Sequence, residues 1–169
     1  MSIPGVAAIV IMGVSGAGKS TVGRIIAAEL GCPFRDADSF HPPANIEKMS
    51  HGEPLTDEDR WPWLQAIATW IAEHRAAGTM CVVTCSALKR VYRDIVTNRQ
   101  SAAVRLVFLE GDFDLIASRL AARKGHFMPP ALLQSQFAAL EEPTPDERAL
   151  TISIDATPDE IAARVLKQL

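Results

Sequence analysis

One stretch, Gly13-Val14-Ser15-Gly16-Ala17-Gly18-Lys19-Ser20, constrains this chain more than any other feature. It matches G-x-x-x-x-G-K-[ST], follows an apolar run from Val6 to Met12, and opens a segment with helical spacing at Val22, Ile25, Ile26 and Leu30. Glycines let backbone N–H groups turn inward around a phosphate without Cβ clashes. A helix starting there aims its positive end at the same point. Lys19 would reach the β- and γ-phosphates, and the Ser20 hydroxyl would ligate Mg²⁺. The span from Gly13 to Thr21 is therefore expected to hold a nucleoside triphosphate.

The rest of the chain alternates strand and helix. The run at Val6–Met12 reads as a strand buried on both faces. Phe34–Ala37, Cys81–Cys85, Val104–Leu109 and Thr151–Ile154 read as four more. Helices are predicted after the phosphate loop, from about Asp59 to Ala77, around Leu88–Ile95, and from Asp112 to about Arg123. A last one is opened by the capping box Thr157-Pro158-Asp159-Glu160. Asp59 is expected to cap the second helix, with Pro62 in its first turn. Residues 39–56 read as irregular and polar. Five strands interleaved with helices give an α/β fold, a central five-stranded parallel sheet with helices on both faces. With 169 residues, one domain is expected.

Composition removes several classes. Lys plus Arg number 17 against 20 Asp plus Glu, a formal charge of −3, so no chain-wide basic field for nucleic acid exists. The early apolar run is far below the ~20 residues of a membrane span, and the first residues lack the basic start of a secretory signal. Three cysteines are no disulfide framework and fit a reducing, cytoplasmic setting. Cys81 and Cys85, four apart on a strand, would lie ~13 Å from each other, too far to bridge.

A switch GTPase should carry N-K-x-D, which is absent, and a motor ATPase should end a strand on Asp after four apolar residues. Here the third strand ends Thr84-Cys85-Ser86 and the fourth Leu109-Glu110. A small-molecule kinase is the better expectation. Ligands of open parallel sheets sit beyond the carboxyl ends of the strands. Strand alternation puts Asp36 and Asp38 on one face there. One carboxylate would hold the metal's water shell and the other would orient and deprotonate an acceptor hydroxyl. Asp36 is given the first task and Asp38 the second, although the pattern itself does not separate them. Arg119 and Arg123 share a helix face before Lys124-Gly125-His126-Phe127-Met128-Pro129-Pro130, which reads as a mobile lid over about 123–130. Arg123 would neutralise charge during transfer, and Arg119 would stack on the adenine. Lys89, Arg90 and Arg93 are expected opposite the apolar stripe of their helix, with Lys89 and Arg93 available to an anionic substrate.

Two stretches are more specific. His41-Pro42-Pro43-Ala44-Asn45-Ile46-Glu47-Lys48-Met49 and Gly52-Glu53-Pro54-Leu55-Thr56-Asp57-Glu58-Asp59-Arg60-Trp61-Pro62-Trp63-Leu64 resemble the signature of gluconokinases. So do Cys85-Ser86-Ala87-Leu88-Lys89-Arg90-Val91-Tyr92-Arg93-Asp94, Arg123–Met128, Ser135-Gln136-Phe137 and Leu140-Glu141-Glu142-Pro143, a likeness over roughly residues 9 to 155. The resemblance implies a three-layer P-loop kinase fold similar to shikimate and adenylate kinases. It implies transfer of the γ-phosphoryl of ATP, with Mg²⁺, to the 6-hydroxyl of D-gluconate, and a homodimer. It makes residues about 38–64 the acceptor-binding segment. A sugar acid needs a few cations and many hydrogen-bonding groups, and Arg60, Lys89, Arg93, His41 and His126 are the candidates. Arg60 and Lys89 are preferred for the carboxylate, since a guanidinium matches it bidentately. Kinases of other small acceptors and a nucleotide-binding regulatory module remain the alternatives.

Overall fold

The computed structural model describes residues 2–123 and 129–169. Strands β1 (Ala8–Met12), β2 (Phe34–Asp36), β3 (Cys81–Thr84), β4 (Val104–Glu110) and β5 (Leu150–Ser153) form one sheet in the order β2-β3-β1-β4-β5. Every pairing is parallel, as the buried, unalternating strand sequences predict.

The pleat of β1 divides two cores. Ile9 and Ile11 pack with Val22 and Ile26 of α1 (Lys19–Leu30), Ile116 of α5 (Phe113–Ala122) and Val165 of α7 (Pro158–Gln168). Ala8, Val10 and Met12 pack on the other face with Leu64 and Ile67 of α3 (Asp57–Ala76) and Val96 of α4 (Arg90–Thr97). Helices on both faces make three layers, the expected architecture. No helix among the described residues is long and apolar enough to cross a membrane.

Several local expectations change. Residues 39–56 are irregular only in part: a 3₁₀ turn covers Ala37–Phe40 and α2 spans Pro43–Ser50, while 51–56 lie outside any helix or strand. This helix has no apolar stripe to read. Its Ile46 and Met49 are exposed, while its buried residue is Asn45, whose Nδ2 donates to the Asp59 carbonyl at 2.9 Å. Lys48 adds an ion pair to Asp59 at 2.7 Å, so polar contacts dock α2 on α3. The cap of α3 is Thr56, not Asp59. Thr56 Oγ1 accepts the Asp59 N–H, and Asp59 returns the bond to the Thr56 N–H. Pro62 accordingly sits inside the helix rather than in its first turn. A further helix, α6 (Pro130–Ala139), follows the segment expected as a lid; most of that segment, with His126, lies outside the described residues. The box at Thr157–Glu160 opens α7 as expected.

Candidate active site

The loop from Gly13 to Gly18 joins β1 to α1 and needs its glycines. Gly16 has φ +84°, and a Cβ there would lie 2.7 Å from Leu120 Cγ. A Cβ on Gly13 would meet the Leu109 carbonyl oxygen at 3.0 Å. The first turn of α1 has no side-chain cap, because Gly18 occupies the N-cap. Among the described residues, the amides of Gly16, Gly18, Lys19 and Ser20 find no partner in the chain. Lys19 arches back over the loop, its Nζ donating to the carbonyls of Gly13 and Val14 at 2.9 Å each. Burial lowers its pKa from 10.5 to about 8, against the pull of Cys85, Asp36 and Asp38.

The loop borders a cleft of about 370 Å³ that also takes in Lys19, Ser20, Asp36, Asp38, Ser86 and Arg123. β2 is separated from β1 by β3, yet Ser20 Oγ donates to Asp36 Oδ2 at 2.5 Å. Asp36 and Asp38 do face one cleft, but not by strand alternation. β2 ends at Asp36, which caps the 3₁₀ turn by accepting the Asp38 N–H at 3.2 Å. The turn is held from below by Trp63, whose Nε1 donates to the Ala37 carbonyl at 2.8 Å. Trp63 is otherwise a buried core side chain, and its indole N–H is the polar handle that this bond uses. His41 stacks on the same indole, ring centroids 4.3 Å apart. Burial lowers its pKa below the usual 6.5, opposed by Asp38 and reinforced by Arg60, so the ring is neutral at pH 7.

The acceptor-side cations gather around Asp57. Tyr92 OH donates to Asp57 Oδ1 at 2.5 Å, and the same oxygen lies 3.6 Å from Arg60 Nη1 and 3.8 Å from Lys89 Nζ. Both cations also stand 5.6 Å from the Tyr92 ring centroid. Arg60 and Lys89 are thus brought together as expected, with Tyr92 and Asp57 as members the sequence did not single out.

Arg93 is not among them. It is 1% exposed, its Nε and Nη2 pair with both carboxylate oxygens of Glu147, and its Nη1 donates to the carbonyls of Ala87 and Leu88. It faces inward, not opposite the apolar stripe, and its bonds tie α4 to the segments before β5. Arg90 is likewise engaged, with Asp94 and Asp146.

Arg119 and Arg123 border a second cavity of about 290 Å³ on the far side of the loop, beside Ala156, Pro158 and Ile161. Arg119 Nη2 donates to the Ile154 carbonyl at 2.6 Å. Arg123 borders both cavities. Cys85 lines the cleft, but burial pushes its thiol up to about 12, which makes it inert as a nucleophile. Cys81 and Cys85 are buried and free.

Metal chemistry has suitable donors here. The Ser20 hydroxyl and the Asp36 carboxylate are hard oxygens already drawn together. Among the described residues no cluster of three His, Cys, Asp or Glu side chains exists. Mg²⁺ at phosphate sites needs none, since it uses one or two carboxylates with water and the phosphates themselves.

Comparison with known proteins agrees with this geometry. A family model described as shikimate kinase matches residues 15–169. A gluconokinase of Gluconobacter oxydans (strain 621H) is 45% identical, over 94% of this chain and 89% of that one. The thermoresistant gluconokinase of Escherichia coli (strain K12) is 43% identical over 94% and 90%. A crystal structure of a gluconokinase from Sinorhizobium meliloti 1021 superposes with a TM-score of 0.82 at 44% identity, covering 96% of this chain and 94% of that one. A shikimate kinase from Bacteroides thetaiotaomicron, at 21% identity and a TM-score of 0.64 over 96% and 99%, shares the fold.

Proposed function

The chain belongs to the gluconokinase family, and from that membership we propose that it transfers the γ-phosphoryl of ATP to the 6-hydroxyl of D-gluconate, yielding 6-phospho-D-gluconate and ADP. One observation carries the reading furthest. A pair of cations converges on a carboxylate oxygen at the start of α3, the helix whose Trp63 holds the Asp38 turn, and that turn shares a cleft with the phosphate loop. His41 links the two regions, since it feels the charges of both Asp38 and Arg60.

The triphosphate lies along the loop, its oxygens on the open amides of Gly16 to Ser20, with Lys19 leaving its two carbonyls for the β- and γ-phosphates. The base occupies the cavity between Arg119 and Pro158, and Arg123 faces the transferring group from between the two cavities. Ser20 and Asp36 would hold Mg²⁺, which would neutralise charge on the phosphate oxygens. Asp38 orients the 6-hydroxyl and takes its proton. Arg60 and Lys89 bind the gluconate carboxylate, exchanging part of their contact with Asp57 for it. Residues 38–64 form the acceptor segment of one catalytic domain. A cytoplasmic homodimer completes the proposal; sedimentation equilibrium tests the dimer.

Gluconate-dependent ADP release is the deciding measurement, run beside shikimate and nucleoside monophosphates. Turnover with gluconate, abolished by EDTA and restored by Mg²⁺, is expected. Turnover only with another acceptor would reassign the substrate. Tight ATP binding with no acceptor-dependent turnover would favour a regulatory module.

A further inference from the structure

The phosphate loop is held from outside by a side chain of α6. Gln136, on α6, accepts the Ser15 N–H through Oε1 at 2.8 Å and donates through Nε2 to Ser15 Oγ at 3.0 Å. The amide fits one way round, because the reverse would set its NH₂ against the Ser15 N–H. Ser15 therefore differs from the loop residues after it. Among the described residues the amides of Gly16, Gly18, Lys19 and Ser20 stay open toward a ligand, whereas that of Ser15 is already taken. A group competing with phosphate would sit on the inner amides. Gln136 sits on the rim.

Helix α6 is itself fixed elsewhere. Leu133 is buried, and Phe137 packs edge-on against Phe113 of α5, ring centroids 5.8 Å apart. Just beyond the helix, Glu141 donates its N–H to the Leu88 carbonyl at 2.7 Å and accepts the Arg90 N–H at 2.8 Å. One helix thus joins the rim of the phosphate loop to the segment that carries Lys89. We infer that Gln136 is a positioning residue, which holds the rim of the phosphate loop in place for the nucleotide from α6. The inference rests on the loop being the triphosphate cradle.

Two variants test it. Gln136→Ala removes both bonds. Gln136→Glu keeps the length, and its carboxylate accepts both the Ser15 N–H and the Ser15 hydroxyl, but it places a negative charge at the rim of a polyanion site. Affinity for a non-hydrolysable magnesium–ATP analogue is measured by calorimetry, with both KM values, kcat and the melting temperature. Gln136→Ala should weaken nucleotide affinity and raise the ATP KM about tenfold, with the gluconate KM within about twofold of wild type. Gln136→Glu should weaken nucleotide binding further, an excess that shrinks at high salt, with a melting temperature near wild type. If Gln136→Ala does not fold, the comparison of Gln136→Glu with wild type decides. Wild type that binds the analogue, with the folded variants binding equally well, would overturn the inference alone. Wild type that binds none would remove the cradle reading, and this one with it.

Discussion

Tyr92 and Asp57 share a hydrogen bond of 2.5 Å at the one oxygen on which Arg60 and Lys89 also close. Two cations against one carboxylate leave one positive charge in hand, the complement of a monoanionic acid. The Tyr92 bond, with help from Lys89 and Arg60, holds the Asp57 carboxyl below its ordinary range. Burial and the same bond push the Tyr92 phenol up to about 12, so it remains a donor at any working pH.

From this cluster Arg60→Ala is expected to raise the gluconate KM about ten- to a hundredfold, as loss of a charge-assisted hydrogen bond of ~1.5–3 kcal/mol would. Tyr92→Phe should raise it by a smaller factor, since it removes a neutral donor. The ATP KM should stay put in both. Steady-state kinetics at saturating co-substrate checks this, and unchanged gluconate KM values would move the carboxylate elsewhere.

Asp38→Asn addresses the proton transfer. The Asp38 backbone is fixed by its N–H bond to Asp36 and by the Trp63 bond to the preceding carbonyl, so the amide should stand where the carboxylate stood. A kcat lower by about 10²–10⁴ with unaltered nucleotide affinity is expected. Wild-type kcat would pass the role of base to another group.

What the sequence made legible follows from how each feature is encoded. The loop, the strands and the two-faced core are written in contiguous residue types and short periods, and they stand where expected. The pairing of Asp36 with Ser20 was visible only as a wish for carboxylates near a phosphate. The actual route, through a 3₁₀ turn propped by Trp63, depends on contacts between residues 26 apart in the chain. Helix α2 escaped because its docking is polar, and Gln136 because its partner lies 121 residues away. Arg93 misled for a related reason. Its charge suggested an exposed face, while the carboxylate that allows its burial, Glu147, sits 54 residues further on.

That pair makes a prediction about stability. Glu147 is 5% exposed, and burial alone would raise its pKa; the Arg93 hydrogen bonds and the Thr144 N–H outweigh this and lower it. Arg93→Ala leaves a buried carboxylate without its partner and should cost about 3–5 kcal/mol in urea unfolding. Arg93→Lys should rescue little, because an ammonium cannot match the two-point contact. Gluconate KM should remain unaltered in whatever protein folds. A folded state with a depressed carboxyl pKa gains stability that is present above the unfolded value, 4.5, and lost as pH falls through the folded one. Glu147→Gln should therefore flatten the acid limb of the stability curve; an unchanged limb would discharge the pair from that role.

Lys19 supplies the sharpest pH dependence. In the ligand-free protein burial sets its pKa to about 8, so above that pH the side chain is largely neutral as it rests on the Gly13 and Val14 carbonyls. A bound triphosphate brings negative charge alongside and raises the pKa again. Binding therefore takes up a proton, and the linked affinity is fully present below pH 8 and lost as pH rises through it. Calorimetry of the magnesium–ATP analogue at about pH 8.5, in two buffers of different ionisation enthalpy, should register net proton uptake. Lys19→Arg, whose guanidinium never deprotonates, should abolish that uptake. Equal heats in the two buffers for the wild type would mean that Lys19 is charged throughout, and that its burial is relieved before the nucleotide arrives.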